Sequence, residues 1–175
     1  VLNATVHHFQ RFFPVFLAVV LILLGGLNFF QTFSYPFVHD DLVFIRNNPE
    51  ISRWDNWRDI FTRTPSPYGI VNAYYRPGLE VLYRLQYMFF KFNAGAYHGF
   101  NVVLHILNGL LVFYLFLRIL SGYDEALARV GDRRDPAGRE SFISASPSLW
   151  VAWSAAVIFV IHPVQTESVA CVAGV

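Results

Sequence analysis

FFPVFLAVVLILLGGLNFF, residues 12–30, followed by PFVHDD, residues 36–41, is the stretch whose reading decides the fold. No charged residue occurs from Phe12 to Val38. A helix rises about 1.5 Å per residue, so about 20 apolar residues cross the hydrocarbon of a bilayer. The spacing predicts a first membrane span over 12–30. Arg11 stands beside it, where a cation snorkels to the headgroups. Pro14 falls in the first turn, where its missing N–H does no harm. Gly25-Gly26 offers either a place for another helix to approach closely or a soft spot. Asp40 and Asp41 then lie at the membrane face. Acids there are either a solvated flank or a site working at the interface.

Composition agrees with a membrane chain. Of 175 residues, 55% are hydrophobic and 14% charged, where a soluble domain carries about 25% charged residues. Mean hydropathy is +0.41. A net charge of +1 gives no argument for nucleic acid as partner. One cysteine, Cys171, excludes an intrachain disulfide and a cysteine-based metal site. The first apolar run is too long for a signal peptide, and no small-residue cleavage site follows it. The chain starts at Val1 and stops in mid-pattern, and reads as the N-terminal piece of a longer protein.

Beyond Asp41 the expected architecture is all-α. Residues 39–91 form a polar-aromatic loop with two amphipathic helices lying on the bilayer. One, about 52–62, would be capped by Ser52 with Asp55 three residues on, and Ile51, Trp54, Trp57 and Phe61 recur at helical spacing. Tryptophan suits the membrane interface. Thr64 to Gly69 reads as a turn and a break. The other helix, about 77–91, opens on Pro77 and carries a stripe of Leu79, Leu82 and Leu85. Residues 92–117 make a second span without Asp, Glu, Lys or Arg, ended by Arg118. His98, Asn101, His105 and Asn108 share one face of it and should point into protein. The charged stretch from Tyr123 to Glu140 reads as a solvent-exposed loop. Residues 142–161 make a third span, ending at HPVQTE.

Three crossings put the 39–91 loop and the segment from His162 on one side. The positive-inside rule does not orient them, since that loop has seven Lys and Arg and the opposite side six. His39, Asp40, Asp41, Tyr75, Arg76, His98, His162 and Glu167 thus gather at one membrane face. A carboxylate there can take the proton of a hydroxyl nucleophile, and an arginine can grip a phosphate by paired hydrogen bonds. Each has a plainer alternative. Arg76 can pair with Glu80 at i+4, His98 and His105 can bond neighbouring helices, and Glu167 can cap a helix starting near Thr166. Nothing has the spacing of a metal site, and no cofactor is expected.

The blocks FVHDD with IRNNP at 45–49, Tyr75-Arg76-Pro77 with Leu79, YHGFN at 97–101 with His105, and HPVQTESVA at 162–170 occur in one order. In that order they resemble the transmembrane and tetratricopeptide-repeat protein O-mannosyltransferases, over most of 36–110 and 156–174. His39 and Gly78 depart from the family's pattern, and 121–141 matches nothing in it. The resemblance implies a type-C glycosyltransferase membrane fold and inverting transfer of mannose from a polyprenyl- or dolichyl-phosphate donor to a protein hydroxyl. It also implies a repeat domain further on, and active loops on the periplasmic side of a bacterial inner membrane or the lumenal side of the endoplasmic reticulum. Asp40 matches the first acid of the family's pair, as catalytic base, and Asp41 the second, positioning acceptor or base. Tyr75, Arg76, His98, His162 and Glu167 match positions expected to bind substrate.

Two rivals stand beside this reading. One is a non-catalytic membrane anchor for a repeat scaffold. The other is a transporter subunit, whose acids would lie at the midplane. Here the acids lie at the ends of the spans, which favours interface chemistry.

Overall fold

The computed structural model describes residues 2–55, 57–62, 75–132 and 147–173, with 2–11 and 124–132 described by backbone alone. The described residues are helical, without strands. In order come α1 (Leu2–Asn28), a 3₁₀ turn (Phe30–Ser34), a π-helical turn (Leu42–Arg46) and α2 (Asp59–Thr62). Then follow α3 (Pro77–Phe90), α4 (Ala94–Asp132), α5 (Pro147–Ile161) and α6 (Gln165–Ala170). The chain divides into two compact units, residues 1–28 with 103–165 and residues 29–102 with 166–175.

The first unit is built on α1, the later part of α4 and α5. Its core is Leu17, Leu21, Phe113, Leu149, Ala152, Ala156 and Val160. Ser148, Ala152, Ala156 and Val160 recur every fourth residue and are all buried, so small side chains bring α5 close to its neighbours. The close approach read into Gly25-Gly26 occurs at the first glycine, where an added Cβ would stand 2.7 Å from Ile106 Cγ1. Trp153 Nε1–H donates to the Leu17 carbonyl at 3.2 Å, and the Trp150 ring meets Phe13 edge-on. The outward faces are apolar: Phe16, Leu23 and Leu27 on α1, Leu107, Leu111 and Ile119 on α4, Val151 and Ile158 on α5.

Among the described residues, one helix is long and apolar enough to cross a membrane, over Ala94–Tyr123. Of the other two expected spans, the part of α1 described with side chains is an apolar stretch over Phe12–Asn28, and α5 is an apolar helix over Pro147–Ile161. α1 gives way after Asn28 to a turn in which the Thr32 hydroxyl donates to the Phe29 carbonyl at 2.8 Å. Residues 142–146 lie outside the described ones. Nor does α4 stop at Arg118. It continues to Asp132 through Glu125, Ala126, Leu127, Ala128 and Arg129, all good helix formers, so the expected loop is helical in its first part.

The second unit corrects the loop. Residues 52–55, 57 and 58 do not join an amphipathic helix. Asn48 accepts the Glu50 N–H at 2.9 Å and donates to the Phe44 carbonyl at 3.0 Å, while Arg53 bridges Glu50 and Asp55. Such local bonds compete with helix formation, and only α2 forms. Ile51 and Ile60 are buried whereas Trp54, Trp57 and Phe61 are exposed, so the spacing did not mark one face. The expected break at 64–69 lies outside the described residues.

α3 starts on Pro77 as expected, but its inward face is Tyr83, Arg84 and Gln86. Leu79, Leu85, Met88 and Phe89 point outward. The Leu stripe is therefore the outer face. Arg84 donates to the Arg53 carbonyl and pairs with Glu80. Glu80 thus has an i+4 partner in Arg84 on the same helix. After α3 the chain reverses at Phe90–Asn93, with Lys91 at φ 52 in a conformation glycine usually fills. The Tyr97 hydroxyl donates to the Lys91 carbonyl at 3.0 Å, and the Asn93 side chain caps α4 through the Ala96 N–H.

Candidate functional site

The site grows from the reversal after Tyr35. The unbroken apolar run ends, His39 adopts φ 44, and Asp41 leads into a π-helical turn closed by the Asn47 N–H on the Leu42 carbonyl. A positive φ outside glycine is uncommon and clusters at functional sites, as π turns do. Ile45 in that turn is buried with Ile51, Tyr83, Tyr97, Val172 and Ala173. This small core sets the two acids against α3, the start of α4 and the last described residues.

The two acids are treated differently. Asp41 is 1% exposed. Its Oδ1 accepts the Ala173 N–H at 2.6 Å and its Oδ2 the Val38 N–H at 3.2 Å. Asp40 is half-buried, and among the described residues neither of its oxygens takes a hydrogen bond. One carboxylate is thus part of the frame, and its neighbour is available.

Around them the second unit gathers part of the expected set. The buried Tyr83 phenol is pushed up to about 12, first by burial, then by Asp41, with Arg76 opposing and Asp40 adding. Burial pushes the Cys171 thiol up too, helped by Asp41, Glu167 and Asp40. These effects place Asp40, Asp41 and Arg76 within electrostatic reach of Tyr83, and the three carboxylates within reach of Cys171. Arg76 is exposed at the N-terminus of α3, and Tyr75 beside it donates its hydroxyl to the Phe61 carbonyl at 2.7 Å. Glu167 is exposed in the first turn of α6, whose start at Gln165 meets the expectation of a helix there. His98 is fully buried beside Tyr35 and feels Asp41. Neither of its ring nitrogens has a hydrogen bond of good geometry, although the main chain of Tyr35 and Pro36 runs beside the ring.

His162 belongs to the first unit, exposed, its Nδ1 accepting the Val164 N–H at 3.1 Å. It is not brought to the acids within one unit. The polar face of the second span divides as well. Asn101 donates to the Cys171 carbonyl at 3.2 Å, and His105 Nε2 lies 3.0 Å from the Val160 carbonyl. A carbonyl only accepts, so Nε2 carries the proton, and His105 takes the plainer role of joining helices. Asn108 is exposed rather than inward. No three His, Cys, Asp or Glu side chains among the described residues are arranged to hold a metal ion.

Tyr83 and Cys171 were missed by sequence reasoning. Tyr83 lies on α3 next to Leu82, and nothing in its local sequence sets it apart. Cys171 follows the HPVQTESVA block, and a lone cysteine carries no pattern.

The described residues are thus helical, with one helix among them long and apolar enough to cross a membrane. Comparison with known proteins names the relatives. The chain is 28% identical over 160 residues to the Caenorhabditis elegans protein O-mannosyl-transferase F38B6.6, covering 89% of this chain and 20% of that protein. It is 24% identical over 166 residues to human protein O-mannosyl-transferase TMTC1, covering 92% and 16%. Mouse protein O-mannosyl-transferase TMTC4 is 28% identical over 168 residues, covering 93% and 20%. The family resemblance read from the four blocks is shown by these relatives. The chain spans about a fifth or less of their length. No family model matches the chain, and no solved structure does.

Proposed function

We propose that this chain is the acid-bearing, N-terminal part of a membrane glycosyltransferase that moves mannose from a polyprenyl- or dolichyl-phosphate donor to a protein hydroxyl. The observation that carries the reading is Asp40, a carboxylate with open oxygens next to one that is fully engaged. A general base needs lone pairs free to receive the hydroxyl proton, and a fixed loop to hold them at the acceptor. Asp40 takes that proton. Asp41 holds the loop. Arg76, exposed at the N-terminus of α3, grips the donor phosphate, with the exposed Tyr75 and Glu167 lining donor and acceptor.

In this reading α1, α4 and α5 are three spans, and α3 lies in the interface. What supports it is the direction in which side chains face. Large apolar side chains are exposed on each of the four helices, while Arg84, Gln86, His98 and His105 are buried. A water-soluble protein rarely exposes so many large apolar side chains. The acids then face the periplasm or the lumen of the endoplasmic reticulum, and further spans and tetratricopeptide repeats complete the protein.

The test is sugar transfer by the whole protein in its membranes. Asp40→Asn keeps the shape and removes the base, and should cut transfer by about 10²–10⁴. Arg76→Ala should raise the donor KM instead. Asp55→Asn, on the exposed turn, should transfer at the wild-type rate. If Asp40→Asn also transfers at that rate, Asp40 is a solvated flank and the enzymatic reading fails.

A further inference from the structure

Residues 171–173 follow α6 as a short irregular segment. They are nonetheless among the best-held residues of the second unit. Val172 and Ala173 are buried in the same core as Ile45, Tyr83 and Tyr97. At one end the Asn101 side-chain amide donates to the Cys171 carbonyl. Two residues on, the Ala173 N–H donates to Asp41 Oδ1. Asp41 Oδ2 meanwhile holds the Val38 N–H, at the entry to the turn that carries Asp40. A single carboxylate thus joins the Asp40 loop to the segment that ends α6, and α6 carries Glu167. The Cys171 N–H closes on the Glu167 carbonyl at 3.1 Å, so a shift of the segment moves Glu167 with it.

We propose that Asp41 and Asn101 are positioning residues forming a two-point clasp, which fixes the 171–173 segment and sets α6 and its Glu167 in register with Asp40. Neither reaches the substrate. Asp41 is 1% exposed, and both its oxygens accept main-chain N–H groups. Asn101 acts from α4 through a main-chain carbonyl. The effect on sugar transfer rests on the glycosyltransferase reading; the clasp itself does not.

The charge on Asp41 matters to the clasp. A carboxylate offers acceptors to both N–H groups, and bonds to an ionised acceptor are stronger than neutral ones. An asparagine keeps one acceptor and turns an N–H₂ toward the other donor.

Cys171 reports on the clasp directly, because its thiol is half-buried inside it. The experiment measures the rate at which N-ethylmaleimide alkylates Cys171 in the whole protein, quantified on the Cys171 peptide by mass spectrometry. Asn101→Ala changes no charge and favours helix, so α4 persists. It should speed alkylation roughly two- to tenfold, the scale of one lost hydrogen bond. Asp41→Asn also removes a charge near the thiol. Asp40→Asn removes a charge without touching the clasp and measures that electrostatic part alone. Asp41→Asn should exceed it. The Asp41→Asn/Asn101→Ala double variant should be no faster than the faster single, because both release one segment. In turnover, Asn101→Ala should lower kcat about tenfold and leave the donor KM within about twofold. Wild-type alkylation in Asn101→Ala, or multiplicative effects in the double variant, overturns the clasp. Wild-type transfer by Asp40→Asn overturns the glycosyltransferase reading instead, and the alkylation rates still decide the clasp.

Discussion

Gly109 is where the first unit is most sensitive to a single methyl. It faces Val160 of α5, and a Cβ added there would overlap Val160 Cγ2. Val160 is 1% exposed and cannot turn into open space. Its backbone is held as well, since the His105 ring donates to its carbonyl at 3.0 Å. α5 therefore cannot slide away without losing that bond. Overpacking of this kind costs about 1–3 kcal/mol. For a chain of this length each kcal/mol lowers the unfolding midpoint by about 2–4 °C. Gly109→Ala should thus unfold roughly 2–12 °C lower in detergent. The fluorescence of Trp150 and Trp153 follows it, since Trp153 is bonded across to the Leu17 carbonyl. Val160→Ala alone leaves a hole and also destabilises. Together the new methyl enters the space the old ones left, and the double variant should recover most of the loss. A wild-type midpoint for Gly109→Ala refutes the close packing, as does a double variant less stable than both singles.

Three further outcomes are expected. Tyr83 keeps its proton in the folded state up to about 12, against 10.0 for the free group. Between these values the unfolded chain releases a proton that the folded chain retains, so stability falls as pH rises through that window, by up to about 2–3 kcal/mol, and is untouched by this group below it. Tyr83→Phe should flatten the loss when denaturant unfolding is compared near about pH 9 and about pH 11.5; an equal alkaline loss in the variant refutes the assignment. Trp54 and Trp57 are exposed, and with α3 in the interface they should be quenched by brominated lipid more strongly than a water-exposed tryptophan. Cysteines at Ser52 and Gln165 should react with an impermeant reagent from the same side and one at Asp132 only after permeabilisation; joint labelling of Ser52 and Asp132 removes the three-span topology.

What could be read from the residues alone was whatever depends on local chemistry. An uncharged run of apolar residues makes helix in any setting that spares it water, so α1, α4 and α5 were legible, as was Pro77 opening α3. Their ends were not. Arg118 looked like a stop because it is charged, yet α4 continues because Glu125 to Arg129 favour helix. Ser52 looked like a cap, yet Asn48 and Arg53 satisfy the nearby main chain in turns. The Leu stripe of α3 was correctly seen as one face, and only packing decided that this face points outward, with Arg84 and Gln86 within.

The candidate site divides the same way. His39, Asp40 and Asp41 were visible as chemistry at the end of an apolar run, because residue type and position along the chain suffice for that. Which acid is free was not visible. Two adjacent aspartates are equivalent in sequence, and they differ only because the Ala173 N–H, 132 residues away, reaches one of them. A hydrogen bond over that separation depends on where the chain returns after α2, α3, α4, α5 and α6. No local pattern encodes that return; the packing of Val172 and Ala173 against Ile45, Tyr83 and Tyr97 does.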